Sequence, residues 1–115
     1  MEKISLKIPA NAKYFSSVRL FLSGILTGMN FDIEKIEDLK MALSECLNVA
    51  LKLECEEIIE IEFAISGNQI KIKIGNICEK ETDFSEEISL PLKIVECLVD
   101  KCEMEDENLI ITAEV

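Results

Sequence analysis

Two side chains in this 115-residue sequence stand out for the chemistry they could do, Arg19 and Glu45. Arg19 is the single arginine among twelve basic residues. Its planar guanidinium can hold a carboxylate or backbone carbonyls in a fixed geometry that lysine cannot copy, which makes it a candidate anchor for a protein partner. Glu45 lies within an apolar run and is followed by Cys46, Leu47, Val49 and Ala50. By residue type alone it is a carboxylate at the edge of a buried stripe, with its head in water. The five cysteines (46, 55, 78, 97 and 102) form no C-x-x-C pair, and the chain has no histidine, which argues against a zinc site. The cysteine count is odd, and neither a signal peptide nor a bilayer-spanning apolar run is evident. The thiols therefore read as reduced, mostly core groups of a cytoplasmic protein. A lone arginine supplies no phosphate-binding cluster. A net charge of −11 argues against nucleic acid or an anionic membrane as partner, while leaving room for a protein.

The elements that must position these residues follow from hydrophobic periodicity. Residues 36–53 place Ile36, Leu39, Leu43, Cys46, Ala50 and Leu53 at three- and four-residue spacing, one apolar stripe on a helix that carries Glu45. Arg19 falls on an earlier helix, residues 12–29, capped by Asn11, with Phe15, Val18, Leu22, Ile25 and Met29 inward. Asn30 and Asp32 supply the turn between the two helices and the cap of the second.

Strands fill most of the rest. Residues 3–8 alternate Ile4, Leu6 and Ile8 against Lys3, Ser5 and Lys7. Residues 59–65 and 70–74 form a hairpin whose Gly67-Asn68 turn pairs Phe63 with Ile72 and Glu62 with Lys73. A one-residue slip would expose the apolar rows. Residues 75–87 show no useful periodicity, and Ser89 with Pro91 then opens a helix to about residue 101. A second hairpin, 101–105 and 108–115 with an Asp106-Glu107 turn, pairs Met104 with Leu109 and Cys102 with Ile111, and its last strand alternates inward Leu109, Ile111, Ala113 and Val115 with outward Ile110, Thr112 and Glu114. The order β-α-α-β-β-α-β-β implies a single α+β domain over residues 1–115. Its architecture is a two-layer α/β sandwich, a five-stranded mixed or antiparallel sheet with three helices on one face.

The stretch Ile36-Glu37-Asp38-Leu39-Lys40-Met41-Ala42-Leu43-Ser44-Glu45 resembles the helix that opens the nucleotide site of the bacterial anti-sigma-factor serine kinases, members of the histidine-kinase-like ATPase superfamily. Residues 17–24 and the closing run from Leu90 to Val115 are similar to that family too, and the resemblance covers nearly the whole chain. It implies the histidine-kinase-like fold with a reduced lid. It also implies a general-base role for the Glu45 position and a partner-holding role for Arg19. The family's S-E-A-x-x-N-A motif reads Ser44-Glu45-Cys46-Leu47-Asn48-Val49-Ala50 here. The magnesium-holding asparagine is thus replaced by Val49, and Asn48 sits one residue early, rotated by about 100°.

Two further family motifs are altered. The D-x-G-x-G pattern that recognises adenine aligns with Asn76-Ile77-Cys78, and the phosphate-wrapping G-x-G-L aligns with Ser89-Leu90-Pro91-Leu92. Pro91 has no N–H to donate to a phosphate. The resemblance therefore implies a degenerate relative that holds a protein partner, a sigma factor or its anti-anti-sigma antagonist, in a partner-switching circuit. No cofactor is then expected. The alternative is a diverged but active serine kinase using ATP and Mg²⁺, with Glu45 as base and Asn48 or Asn76 recruited to the nucleotide. A third reading is a dimerisation domain that pairs with a second copy of the chain.

Overall fold

The computed structural model describes residues 1–53, 57–75, 77 and 86–115. The chain forms β1 (Glu2–Pro9), α1 (Phe15–Gly28, led in by a 3₁₀ turn), α2 (Ile33–Leu53), β2 (Ile58–Ser66), β3 (Gln69–Ile74), α3 (Glu86–Leu98), β4 (Lys101–Glu105) and β5 (Asn108–Glu114). The strands form one sheet in the order β1-β2-β3-β5-β4, antiparallel at every junction. The three helices cover one face, as the expected two-layer sandwich requires. Both hairpins have the expected register, with Phe63 opposite Ile72, Glu62 opposite Lys73, Met104 opposite Leu109 and Cys102 opposite Ile111. Phe63 and Ile72 are fully buried, because any one-residue slip would turn both strands inside out.

Local chemistry explains the joints. Asn30 takes a left-handed φ of 65° after α1. The Asn30 N–H donates to the Thr27 carbonyl and the Phe31 N–H to the Leu26 carbonyl, the paired bonds of a Schellman cap. The Lys35 N–H then donates to Asp32 Oδ1 at 2.8 Å, which starts α2 with a side-chain cap. Gly67 at φ 60° opens the first hairpin turn, where a glycine is favoured. In the second turn both central residues are left-handed, Asp106 at 49° and Glu107 at 63°, a conformation that costs an L-residue about 1–2 kcal/mol.

Two features depart from the sequence pattern. The last helix begins at Glu86, three residues before Ser89, so Pro91 is interior to α3 rather than in its first turn. The missing N–H leaves the carbonyl four residues back, that of Glu87, without its helical donor. On the outer face of the sheet, β5 presents Ile110 and Thr112, both buried where the strand pattern predicts exposed positions. Lys73 and Glu103 flank Ile110, and Lys71 and Lys101 flank Thr112, so long side chains crowd a central strand. Thr112 Oγ1 is a buried hydroxyl with no hydrogen-bond partner.

The second turn offers a direct test of the backbone assignment. Glu107→Gly relieves the left-handed strain while adding unfolded-state freedom, and should stabilise the protein by about 0.5–1 kcal/mol. In urea denaturation the midpoint should rise with the slope unchanged.

Candidate functional site

The site is built on α2. Ile36, Leu39, Leu43, Cys46 and Leu47 are buried on it, with Ala42, Val49, Ala50 and Leu53 widening the buried arc. α2 packs against α1 on one side and α3 on the other, which is why its apolar arc is wider than a sheet-facing stripe alone would need. Glu45 lies at the rim of this arc and is half-buried. It has no hydrogen bond or ion pair among the described residues. Its charge is felt by Cys46, whose thiol is pushed far above its usual range, first by burial, then by Cys102 and Glu45. Cys46 is thus an inert core thiol held in its neutral form.

Val49, one helical turn after Glu45, is 2 % exposed and belongs to the hydrophobic core. Asn48 is exposed, on a side of the helix about 100° away. The two positions therefore do opposite things. The one aligned with Glu45 is apolar and enclosed, and the one carrying an amide faces solvent. Mg²⁺ needs close to six oxygen ligands, and Val49 supplies none. The Ser89–Leu92 stretch, expected to open the last helix where the family's phosphate-wrapping motif would precede it, lies within α3. Its backbone N–H groups after the first turn are engaged along the helix rather than aimed at a ligand. The residues described at these positions do not fit a magnesium-bound nucleotide. Asn76 and Cys78 lie outside the described residues, as does Cys55.

Arg19 is brought to α2. Its Nη1 donates to Ser44 Oγ at 3.2 Å, and Ser44 Oγ donates in turn to the Lys40 carbonyl at 3.0 Å. Arg19 lies off the core stripe, as the sequence reading has it, but is half-buried and meets Ser44 of α2 rather than standing free on the surface. The reason is tertiary: α1 packs against α2, which half-covers the Arg19 side of α1 while its core side is fully buried. Ser44 is the neighbour of Arg19 that residue-by-residue reading missed, although it stands next to Glu45 in the motif. Leu20, which follows Arg19 on α1, is 69 % exposed, and Met41, one helical turn before Ser44 on α2, is 54 % exposed. Arg19 and Glu45 thus share one helix, the first through Ser44 and the second directly. Of the other described cysteines, Cys97 is exposed and Cys102 half-buried, so the expectation of mostly core thiols holds fully only for Cys46.

No family model matches the chain. It is 37 % identical to the serine-protein kinase RsbW of Bacillus thuringiensis (strain Al Hakam) over 65 % of its own length and 49 % of the relative's. It is 34 % identical to the serine-protein kinase RsbW of Bacillus cereus (strain B4264) over 96 % of this chain and 82 % of that one. The second alignment runs over 131 positions, more than the 115 residues of this chain, so that relative carries residues with no counterpart here. The chain spans about half the length of the first relatives it matches. In fold it is similar to a crystal structure of the RsbU and RsbW domains of a Mycobacterium tuberculosis protein. The TM-score is 0.71 at 17 % identity, covering 98 % of this chain and 32 % of the other.

The burial of Val49 gives a test. Val49→Asn restores the family's residue type but places an amide in the core, and should cost about 2–4 kcal/mol of stability. A thermal melt no lower than that of the parent chain would show that this side of α2 opens to solvent.

Proposed function

Since the chain belongs to the anti-sigma-factor serine kinase family named RsbW, we propose that it acts as a binding module, holding a protein partner without binding ATP or transferring phosphate. The observation that carries this reading is the enclosure of Val49, with no oxygen at the position where the family motif has its metal-holding asparagine. Pro91 inside α3 supports it, because that residue cannot donate to a phosphate and its neighbours are committed to a helix. The partner class is that of the family, a sigma factor or its anti-anti-sigma antagonist, and the setting is the cytoplasm. Among the described residues no helix is long and apolar enough to cross a membrane.

The binding chemistry centres on the α1–α2 seam. Arg19 spends one of its five N–H donors on Ser44. The bond fixes the guanidinium and leaves other donors for a carboxylate or carbonyls of the partner. Leu20 and Met41 add exposed apolar surface on the same two helices. A charged fork set between apolar side chains is the composition of an interface hot spot.

A second reading keeps one observation of its own. Glu45 is half-buried and unpaired among the described residues, the environment of an available general base. In that reading the chain is a diverged active kinase and Glu45 takes the proton of a substrate serine, with Asn48 or Asn76 turned toward the nucleotide.

Calorimetric titration with millimolar ATP, with and without Mg²⁺, separates the two readings. The binding-module reading expects no saturable heat, and saturable Mg-ATP binding would overturn it. For the partner surface, Arg19→Lys should weaken binding of the native partner almost as much as Arg19→Ala, by about 1–3 kcal/mol, the scale of a charged hydrogen bond. Loss of the Ser44 bond should lower stability by only about 0.5–1.5 kcal/mol in either variant. Unchanged affinity in both would move the interface elsewhere.

A further inference from the structure

Charge is laid out unevenly along this chain. Its first 31 residues hold four of the twelve basic side chains (Lys3, Lys7, Lys13 and Arg19) but only one of the twenty-three acidic ones, Glu2. These residues build β1 and α1, so a net-positive unit sits at one end of the sheet in a chain of charge −11. β1 is an edge strand that pairs only with β2. At 8 residues it is longer than β4, the 5-residue strand at the opposite edge. Ile4, Leu6 and Ile8 point toward the helix layer yet remain only half-buried, while Lys3, Ser5 and Lys7 are exposed on the other face, Lys7 in a loose surface ion pair with Glu60 at 3.8 Å that a partner carboxylate can share. Above them, the Phe21 ring of α1 lies 5.6 Å from that of Phe63, the cross-strand neighbour of Ile4. α1 therefore roofs this end of the sheet, with Phe21 still 37 % exposed.

We propose that β1 is a docking edge for an extended segment of a protein partner in which acidic and apolar residues alternate. An open edge presents unpaired backbone N–H and C=O groups that a sixth strand can satisfy. The segment's apolar residues continue the row of Ile4, Leu6 and Ile8 beneath Phe21. Its acidic residues lie across from Lys3 and Lys7 on the outer face, where opposite charges on neighbouring strands attract and like charges repel. The same rule disfavours a second copy, since two β1 strands paired about Ser5 would set Lys3 against Lys7. The inference rests on the reading of the chain as a protein-binding module and adds a surface distinct from the Arg19–Ser44 seam.

The full chain is titrated, by fluorescence anisotropy, with an eight-residue peptide alternating Glu and Val. Its lysine-for-glutamate counterpart and a scrambled peptide of the same composition serve as comparisons. The alternating acidic peptide should bind best, lose affinity as salt rises, and slow hydrogen exchange of the amides in β1. Lys3→Glu, opposite Ala64, should keep the native melting curve; the double variant Lys3→Glu/Lys7→Glu also removes the exposed Lys7–Glu60 ion pair and should lose a little stability. It should weaken the acidic peptide by about tenfold and favour the basic one. Equal binding of the scrambled peptide, protection confined to another element, or indifference to charge reversal would overturn the proposal. So would concentration-dependent self-association that protects β1 in the free chain, which would give the edge to a second copy. If binding of the native partner depends on Arg19 while peptide and charge-reversal variants have no effect, the edge assignment falls and the binding-module reading stands.

Discussion

The structure depends on how completely α2 is enclosed. The sheet lies beneath it and a helix packs on each side, so nine of its residues are buried. Burying each large apolar side chain is worth about 1.5–3 kcal/mol, and no other element contributes as many to the core. That enclosure sets the limits of the site. A position on α2 can be chemical only where it escapes the arc, and Glu45, Asn48 and Ser44 are the polar positions that do so near its middle.

Enclosure also explains why the departures from the family motif differ in weight. A valine at position 49 is more than the absence of an amide, because it completes the hydrophobic contact on that side of the helix. The proline at 91 lies inside a helix that starts earlier than its sequence signals. The stretch that would need a mobile, donor-rich backbone is consequently regular. At both positions the residue present is part of ordinary helix packing. Arg19 has been treated differently: a polar contact to Ser44, itself bonded to the backbone of α2, holds it at the seam. A guanidinium held in this way has fewer rotamers open to it than a free surface arginine.

The outer face of the sheet shows what the scaffold tolerates. Thr112 carries an unpartnered buried hydroxyl between two lysines, at a cost of about 1–3 kcal/mol. Ile110 is buried on the same side, where no helix or strand among the described residues covers it. Both follow from the position of β5 between β3 and β4, where long neighbours lie over short or branched side chains.

Much of this was legible in the residues. Alternation of period two and the two turn dipeptides determined both hairpin registers, because a slip by one residue would expose every large side chain of a strand. The i, i+3, i+4 spacing determined α1 and α2, and Asn30 with Asp32 determined the joint between them, since backbone conformation there is set by local hydrogen bonds. The replacement of the motif asparagine by Val49 and the early Asn48 were equally plain. Tertiary structure alone decided the rest. Periodicity reports one buried face, so it could not say that α2 is buried on its flanks as well, or that Val49 is core. It could not show that Arg19 meets Ser44, because that neighbour comes from another helix. It placed Pro91 at a helix start, because local signals outweigh the packing of α3 on α2 when only the sequence is in view. It placed Ile110 and Thr112 outside, because a strand's own pattern carries no information about the length of the side chains on the strands beside it.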